Sequence, residues 1–223
     1  MANPSTFLEL TQRLAQEASV NGVAPTTTVA QTGENKRLGD WIVDAWLEIQ
    51  GIQLWSFLWE QVPLIVPDTL NVVAGDIPAP RWDKEQAWVV PLSSDNAARN
   101  LDYMTWRDFS TTYQRLGNTG AITAWSIRPD NAFVVNAPAN GATTINVQRW
   151  RNPQVLLADT DVPLIPADLT MFIVYTALKK YAGYDEAGTQ RLIAVDEMKR
   201  MRNALEERCL PQFSMGGSLL DNY

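Results

Sequence analysis

Apolar residues recur at spacings of three and four along four stretches of the chain, and this period predicts four helices. The first stretch also begins with Thr6 and Glu9, which have the spacing of a capping box. Its apolar stripe consists of Phe7, Leu10, Leu14 and Ala18. The four predicted helices are Thr6–Val20, Glu34–Gln61, Pro166–Gly183 and Glu186–Leu210.

The second predicted helix has two contrasting faces. One face carries the apolar residues, with Trp41 expected in the core, and the other carries Asp40, Asp44 and Glu48. Beyond Gly51 the sequence "IQLWSFLWEQ" is apolar nearly all round, so we expect the distal end of this helix to be buried or partnered.

The last two predicted helices are separated by a short turn. Pro166 suits the first turn of the third helix, and Gly183 is typical of its end. The expected core stripes are Leu169, Phe172, Ile173, Thr176, Ala177 and Tyr181, and then Leu192, Val195, Met198, Met201 and Leu205. Helices joined by so short a turn lie antiparallel. We expect the two N-terminal helices to pack on the apolar faces of the third and fourth helices, which predicts a four-helix bundle built from both chain ends.

The middle of the chain has a different pattern. Nine of the thirteen prolines fall between Val62 and Ile165, and proline is excluded from helix interiors and central strands. Thr105 can cap a short helix here. Predicted strands are Ala121–Arg128, Ala132–Asn136 and Thr143–Arg151. The predicted fold is therefore α+β and mainly α. Residues 1–61 and 166–210 are predicted to form a helical bundle. A β-rich insertion, 62–165, separates its two halves along the chain, and a C-terminal arm follows at 211–223.

Composition and charge narrow the function. Histidine is absent, which excludes Ser-His-Asp and Cys-His catalysis and His-ligated zinc. The net charge of −7 and the lack of a basic run argue against binding a phosphate backbone. Cys209 is the single cysteine, no leader pattern opens the chain, and no apolar run is long enough for a membrane span. We therefore expect synthesis in a cytoplasm and no cofactor.

Several acidic residues and one thiol are candidates for chemistry. Asp40, Asp44 and Glu48 could supply acid–base carboxylates, although surface carboxylates opposite an apolar stripe are commoner. Asp159–Asp161 ("DTD") offers oxygen ligands for a hard cation but lacks the rest of an EF-hand loop, which favours a solvated loop. Cys209 is reactive if its pKa is lowered and inert if it is buried. We predict no catalytic and no metal site.

The remaining candidates are aromatic or glycine-rich. Five tryptophans of the middle region could stack on sugars, or could fill a small core or an interface: Trp82, Trp88, Trp106, Trp125 and Trp150. "GNTG" at Gly117–Gly120 is interpreted as a loop, because no phosphate-binding motif surrounds it.

The last residues combine apolar anchors with a glycine hinge, Gly216-Gly217. Such a tail is either a frayed end or an arm that orders on a partner. The candidate partner-binding residues of this docking arm are Phe213, Leu219, Leu220 and Tyr223.

Three segments together resemble the head–tail adaptor (connector) proteins of tailed bacteriophages. They are "TFLELTQRLAQEASVNG", "GENKRLGDWIVDAWLEIQGIQLWSFLWE" and "IPADLTMFIVYTALKKYAGYDEAG" with the helix after it. The resemblance covers both chain ends and carries no catalytic signature. It implies a virion protein of the head–tail junction, and a ring, typically of twelve copies, beneath the portal protein. Such a ring extends the channel for genomic DNA, without sequence-specific binding, and presents a surface for a tail or nozzle protein.

Two other functions stay open from the residues themselves. A carbohydrate-binding module or carboxylate-dependent glycosidase of a phage tail requires clustered, exposed tryptophans. A soluble regulatory or chaperone-like binding domain requires a stable monomer with no preference for portal.

Overall fold

A computed structural model describes residues 5–19, 24–66, 81–90, 99–114, 121–137, 143–184 and 188–210. Of these residues about 48% are helical and about 23% lie in strands, so the predicted α+β, mainly α class is confirmed at this level. The chain divides into two compact units, a helical unit of Met1–Phe57 with Pro153–Tyr223 and a β unit of Leu58–Asn152. The four-helix arrangement and the predicted domain boundaries stay predictions.

The helical unit begins with α1, Phe7–Glu17, whose capping box is confirmed. The Glu9 backbone N–H donates to Thr6 Oγ1 over 3.3 Å, and the Thr6 N–H donates to Glu9 Oε2 over 2.9 Å. The predicted stripe of α1 is buried at all four positions. The local sequence therefore correctly identifies the face of α1 that packs against other helices.

The second helix, α2, spans Gly33–Ile52. The predicted range Glu34–Gln61 was therefore wrong at its C-terminal end, because the helix already ends at Ile52. The chain turns after Ile52 through a 3₁₀ segment, Ser56–Leu58, into a strand. Trp55 is fully buried and Phe57 stacks between it and Trp46, with ring centroids 5.9 Å from each. The sequence after Gly51 is apolar nearly all round because its aromatic residues Trp55 and Phe57 pack back against α2.

The expected core position of Trp41 was also wrong. Trp41 is half-buried and packs edge-on against Tyr181, with ring centroids 5.5 Å apart. Trp46, five residues later, is the fully buried indole of α2. Trp41 lies at the border of the core, where Tyr181 and Tyr184 contact its ring.

Helix α4, Met171–Tyr184, follows a 3₁₀ turn at Ala167–Leu169 and packs against α1, α2 and α5. All six predicted core residues of this region are buried, with Phe172 1% exposed, and so are Val174 and Leu178. A helix buried on several sides needs apolar residues beyond one stripe, which explains its continuous apolar run.

Helix α5, Gly188–Cys209, packs against α4. Met201 and Leu205 are buried as predicted, but Leu192 is 71% exposed, so its assignment to the core was wrong. Ala194 is buried near the beginning of the helix instead. The apolar residues of α5 keep the helical spacing through its whole length, but Leu192, in its N-terminal turns, is exposed to solvent.

The β unit contains two sheets in its described part. The larger sheet has the strand order β1-β7-β2-β3 and the smaller one β4-β5-β6. The strands are β1 Trp59–Val66, β2 Arg81–Val90, β3 Arg99–Asn100, β4 Asp102–Tyr103, β5 Ala124–Ile127, β6 Phe133–Val135 and β7 Thr143–Trp150. Helix α3, Trp106–Phe109, lies between β4 and β5 and has the predicted Thr105 cap.

The three predicted strands are present as β5, β6 and β7, each somewhat shorter than predicted at one or both ends. Between β5 and β6 the chain turns at Asn131, which adopts a left-handed φ of 64°, a conformation that asparagine tolerates well. Strand β7 pairs with β1 and β2 instead of β6. The core of the unit includes residues of both sheets, among them Trp82, Trp125 and Phe133.

Candidate interaction surfaces

The three carboxylates of α2 lie on its exposed face, as their spacing predicts. Lys36 Nζ is 2.7 Å from Asp40, and Lys180 Nζ is 3.0 Å from Glu48. Asp44 makes no ion pair within the described residues. These exposed, partly paired carboxylates form a charged surface stripe on α2.

The two aspartates of the DTD segment, Asp159 and Asp161, both accept hydrogen bonds from other residues of the chain. Asp159 accepts hydrogen bonds from Thr27 Oγ1 (2.6 Å) and from both the backbone N–H (2.6 Å) and the hydroxyl of Thr28. The Thr27 hydrogen bond, followed by those of Thr28, holds the pKa of the Asp159 carboxyl below its ordinary value of 3.8. Both carboxylate oxygens of Asp159 therefore accept hydrogen bonds. They join the chain around Asp159 to Thr27 and Thr28, in the segment between α1 and α2.

The same segment completes the beginning of α1. The Phe7 and Leu8 N–H groups, which have no partner inside the helix, donate to the carbonyls of Asp161 (2.7 Å) and Asp159 (3.2 Å). The Asp161 carboxylate accepts from the N–H groups of Leu157 and Ala158, and the Ala158 bond is the main reason that its pKa is lowered. The described residues contain no group of three or more potential metal ligands of the His, Cys, Asp or Glu type.

The five tryptophans proposed for sugar stacking do not form one exposed platform. Trp82 and Trp125 are buried, and the Trp82 indole donates to the Asn131 carbonyl over 2.8 Å. Trp125 stacks on Phe133 with centroids 4.8 Å apart. The others, Trp88, Trp106 and Trp150, are half-buried in different strands and in α3. Trp82 and Trp125 are therefore core residues of the β unit and are not available to stack on a sugar.

Cys209 lies near the end of α5 and is buried. Burial is the main cause of the raised pKa of its thiol, which keeps the thiol protonated at neutral pH. The inert interpretation of Cys209 is thus favoured. The docking-arm residues Phe213, Leu219, Leu220 and Tyr223 lie outside the described residues, as does the GNTG segment.

An arginine cluster at one end of the larger sheet was missed by the sequence reasoning. Glu60 on β1 lies opposite Arg149 on β7, and its carboxylate binds Arg149 Nε (3.0 Å) and Arg151 Nη2 (2.8 Å). The Arg149 guanidinium also lies 5.6 Å from the centroid of the Trp82 ring. Cross-strand pairing could have revealed this cluster, but Glu60 had been placed in a helix.

The opposite face of the same sheet end is aromatic and cationic. Trp59 lies directly across from Trp150, which in turn lies across from Arg81 on β2, so the three side chains share one face. Trp59 is 45% exposed, and the Arg81 guanidinium lies 5.3 Å from the Trp150 ring centroid. Ile65, at the other end of β1 on this face, is 59% exposed. The face thus offers an indole and a cation to a partner.

No helix within the described ranges is long and apolar enough to cross a membrane. No curated protein matches the chain significantly. Residues 5–217 match a family model described as the SU10 adaptor protein, which represents a phage head–tail adaptor family.

Proposed function

The chain belongs to the SU10 adaptor family of phage head–tail adaptors, and from that premise we propose that it forms a ring beneath the portal. In this role it extends the DNA channel and docks the tail. The observation that carries the proposal is the extent of the family match, which includes both helical ends and the β unit between them. The role is structural, within the virion, and not catalytic.

The charge distribution supports passage of DNA without retention. Residues 58–152 contain nine acidic and eight basic side chains, so six of the seven net negative charges lie in the helical unit. Each phosphate that a protein neutralises adds to its affinity for DNA. A channel surface formed mainly by the acidic unit would let the duplex slide.

The partners of the ring are the portal protein on one side and a tail or nozzle protein on the other. We propose twelve copies, as the resemblance to adaptors implies, and we place the docking arm, 211–223, on the portal. Its apolar anchors would each contribute about 25 cal/mol per Å² buried, while ordering costs about 1–2 kcal/mol per residue. One arm binds weakly, but many arms on one portal ring bind by avidity.

Native mass spectrometry of the full chain mixed with the portal of the same phage tests this proposal. We expect a cooperative series that ends in a full ring of copies per portal, even if the free protein is monomeric. A complex with a single copy per portal ring, or no complex at all, would contradict the proposal. A titration of tryptophan fluorescence with oligosaccharides should give no change.

A further inference from the structure

The row of exposed Trp59, half-buried Trp150 and exposed Arg81, here named the arginine–tryptophan surface, contains a cation without an ion pair. Arg81 is exposed and makes no ion pair within the described residues. Glu60, on the opposite face of this sheet end, is already bound by Arg149 and Arg151. Here a guanidinium lies on one indole beside an exposed second indole, and tryptophan and arginine are both enriched among the residues that dominate binding energy at protein interfaces. The surface is therefore suited to a carboxylate flanked by apolar groups.

The chain itself carries a surface of that chemistry on α2. Asp44 is exposed and makes no ion pair in the described residues, and Asp40 and Glu48 lie one turn to either side. Val43 and Leu47 are half-buried beside it on the same side of the helix. This acidic stripe is about 12 Å long at 1.5 Å per residue, and the row Trp59–Trp150–Arg81 spans about 10 Å across three strands. The two surfaces are comparable in size and opposite in charge.

We infer that the arginine–tryptophan surface binds the α2 acidic stripe of a second copy of this chain, with Arg81 paired to Asp44. The inference rests on the proposed ring and names the contact that closes it. A ring repeats one heterologous contact, in which two different surfaces of the chain meet. A near-neutral β unit with a free arginine and a helical unit that holds six of seven net negative charges satisfy that requirement electrostatically.

Nucleic acid is the less favoured occupant of the arginine–tryptophan surface. A phosphate backbone would approach a chain with a net charge of −7, and the arginines near Arg81 do not form a free basic stripe, because Arg149 and Arg151 both bind the Glu60 carboxylate. The carboxylates of a second copy, in contrast, are present at the same concentration as the arginine.

The test is a charge exchange in the full chain, read by native mass spectrometry on portal and by binding of a fluorescent DNA duplex. Arg81→Glu and Asp44→Arg alone should each weaken ring formation at least tenfold. The double variant, and an equimolar mixture of the two single variants, should restore it. Arg107→Glu is the matched control, because Arg107 is also exposed and without an ion pair in the described β unit. Thermal melts establish that every variant is folded.

Two outcomes overturn the inference while the ring stands: Arg81→Glu assembles as well as wild type, or both single variants fail and the exchange does not restore assembly. Loss of duplex binding by Arg81→Glu with normal rings would assign the surface to nucleic acid and also overturn it. If wild type itself forms no ring, the proposed function fails. Separate Asp44→Cys and Arg81→Cys variants, mixed at high concentration, should then still cross-link, and their failure to do so would overturn the contact independently.

Discussion

The indole Nε1 of Trp55 donates a 2.6 Å hydrogen bond to the carbonyl of Ile49, in the last turn of α2. The last carbonyls of a helix have no partner within it, and Trp55 is fully buried, so water cannot replace the indole. Trp55→Phe keeps most of the ring volume but leaves that carbonyl unpaired. We expect a loss of about 1–3 kcal/mol in the free energy of unfolding, measured by urea denaturation.

Trp106→Phe is the control for this prediction, because Trp106 is half-buried and stacks on Phe109. Its cost should be clearly smaller than that of Trp55→Phe. Equal losses for the two variants would mean that the indole hydrogen bond does not end the helix.

Phe172 is 1% exposed in α4, the helix that packs on α1, α2 and α5. Phe172→Ala would leave a cavity that several helices surround, so we expect destabilisation by about 3–5 kcal/mol in denaturant melts. Lys179→Ala, an exposed change on the same helix, should stay within about 0.5 kcal/mol. A Phe172→Ala loss as small as that of the lysine variant would remove Phe172 from the core.

Asp159 gives the protein an acid-sensitive contact between distant segments. Its folded-state pKa lies below the ordinary value of 3.8, mainly through the Thr27 hydrogen bond and then those of Thr28. The stabilisation is therefore complete above pH 3.8 and is lost as the pH falls through the lower folded-state value. Asp159→Asn should be less stable than wild type at pH 7, and the difference should shrink below pH 3.8.

Urea melts of wild type and Asp159→Asn at pH 7, 5, 3.5 and 2.5 measure this difference. Thr28→Val removes the hydroxyl donor to the same carboxylate and keeps the backbone N–H donor, so it should partly reduce the acid dependence that Asp159 contributes. A stability difference between wild type and Asp159→Asn that stays constant across this range would show that the hydrogen bonds do not hold the carboxylate in its charged form.

The docking arm is tested by truncation after Leu210. Because the residues after Leu210 are proposed to act on the portal, removing them should leave the thermal melt unchanged and abolish association with portal. Replacing Phe213, Leu219, Leu220 and Tyr223 together by serine in the full chain should have the same effect. A truncated chain that binds portal as well as the full chain would make the arm a frayed end.

The described helices and the long strand β7 could be predicted because their signals are local. The stripe Phe7, Leu10, Leu14 and Ala18 and the Thr6–Glu9 capping box depend on residues three or four positions apart, and so do the buried positions of α4. Charge and composition likewise indicated a binding protein and not a His-dependent enzyme. The resemblance of the two chain ends to phage adaptors is confirmed by the family match.

Tertiary structure decided what depends on residues far apart in sequence. The end of α2 is set by Trp55 and Phe57 folding back on it, and periodicity cannot distinguish that return from a longer helix. Glu60 meets Arg149 across 89 positions, and Thr28 meets Asp159 across 131. The sequence determined which faces of the helices are apolar. Which charges pair across the larger sheet, and which tryptophan shares a face with Arg81, followed only from strand register, because register joins residues whose neighbours in sequence carry no sign of the contact.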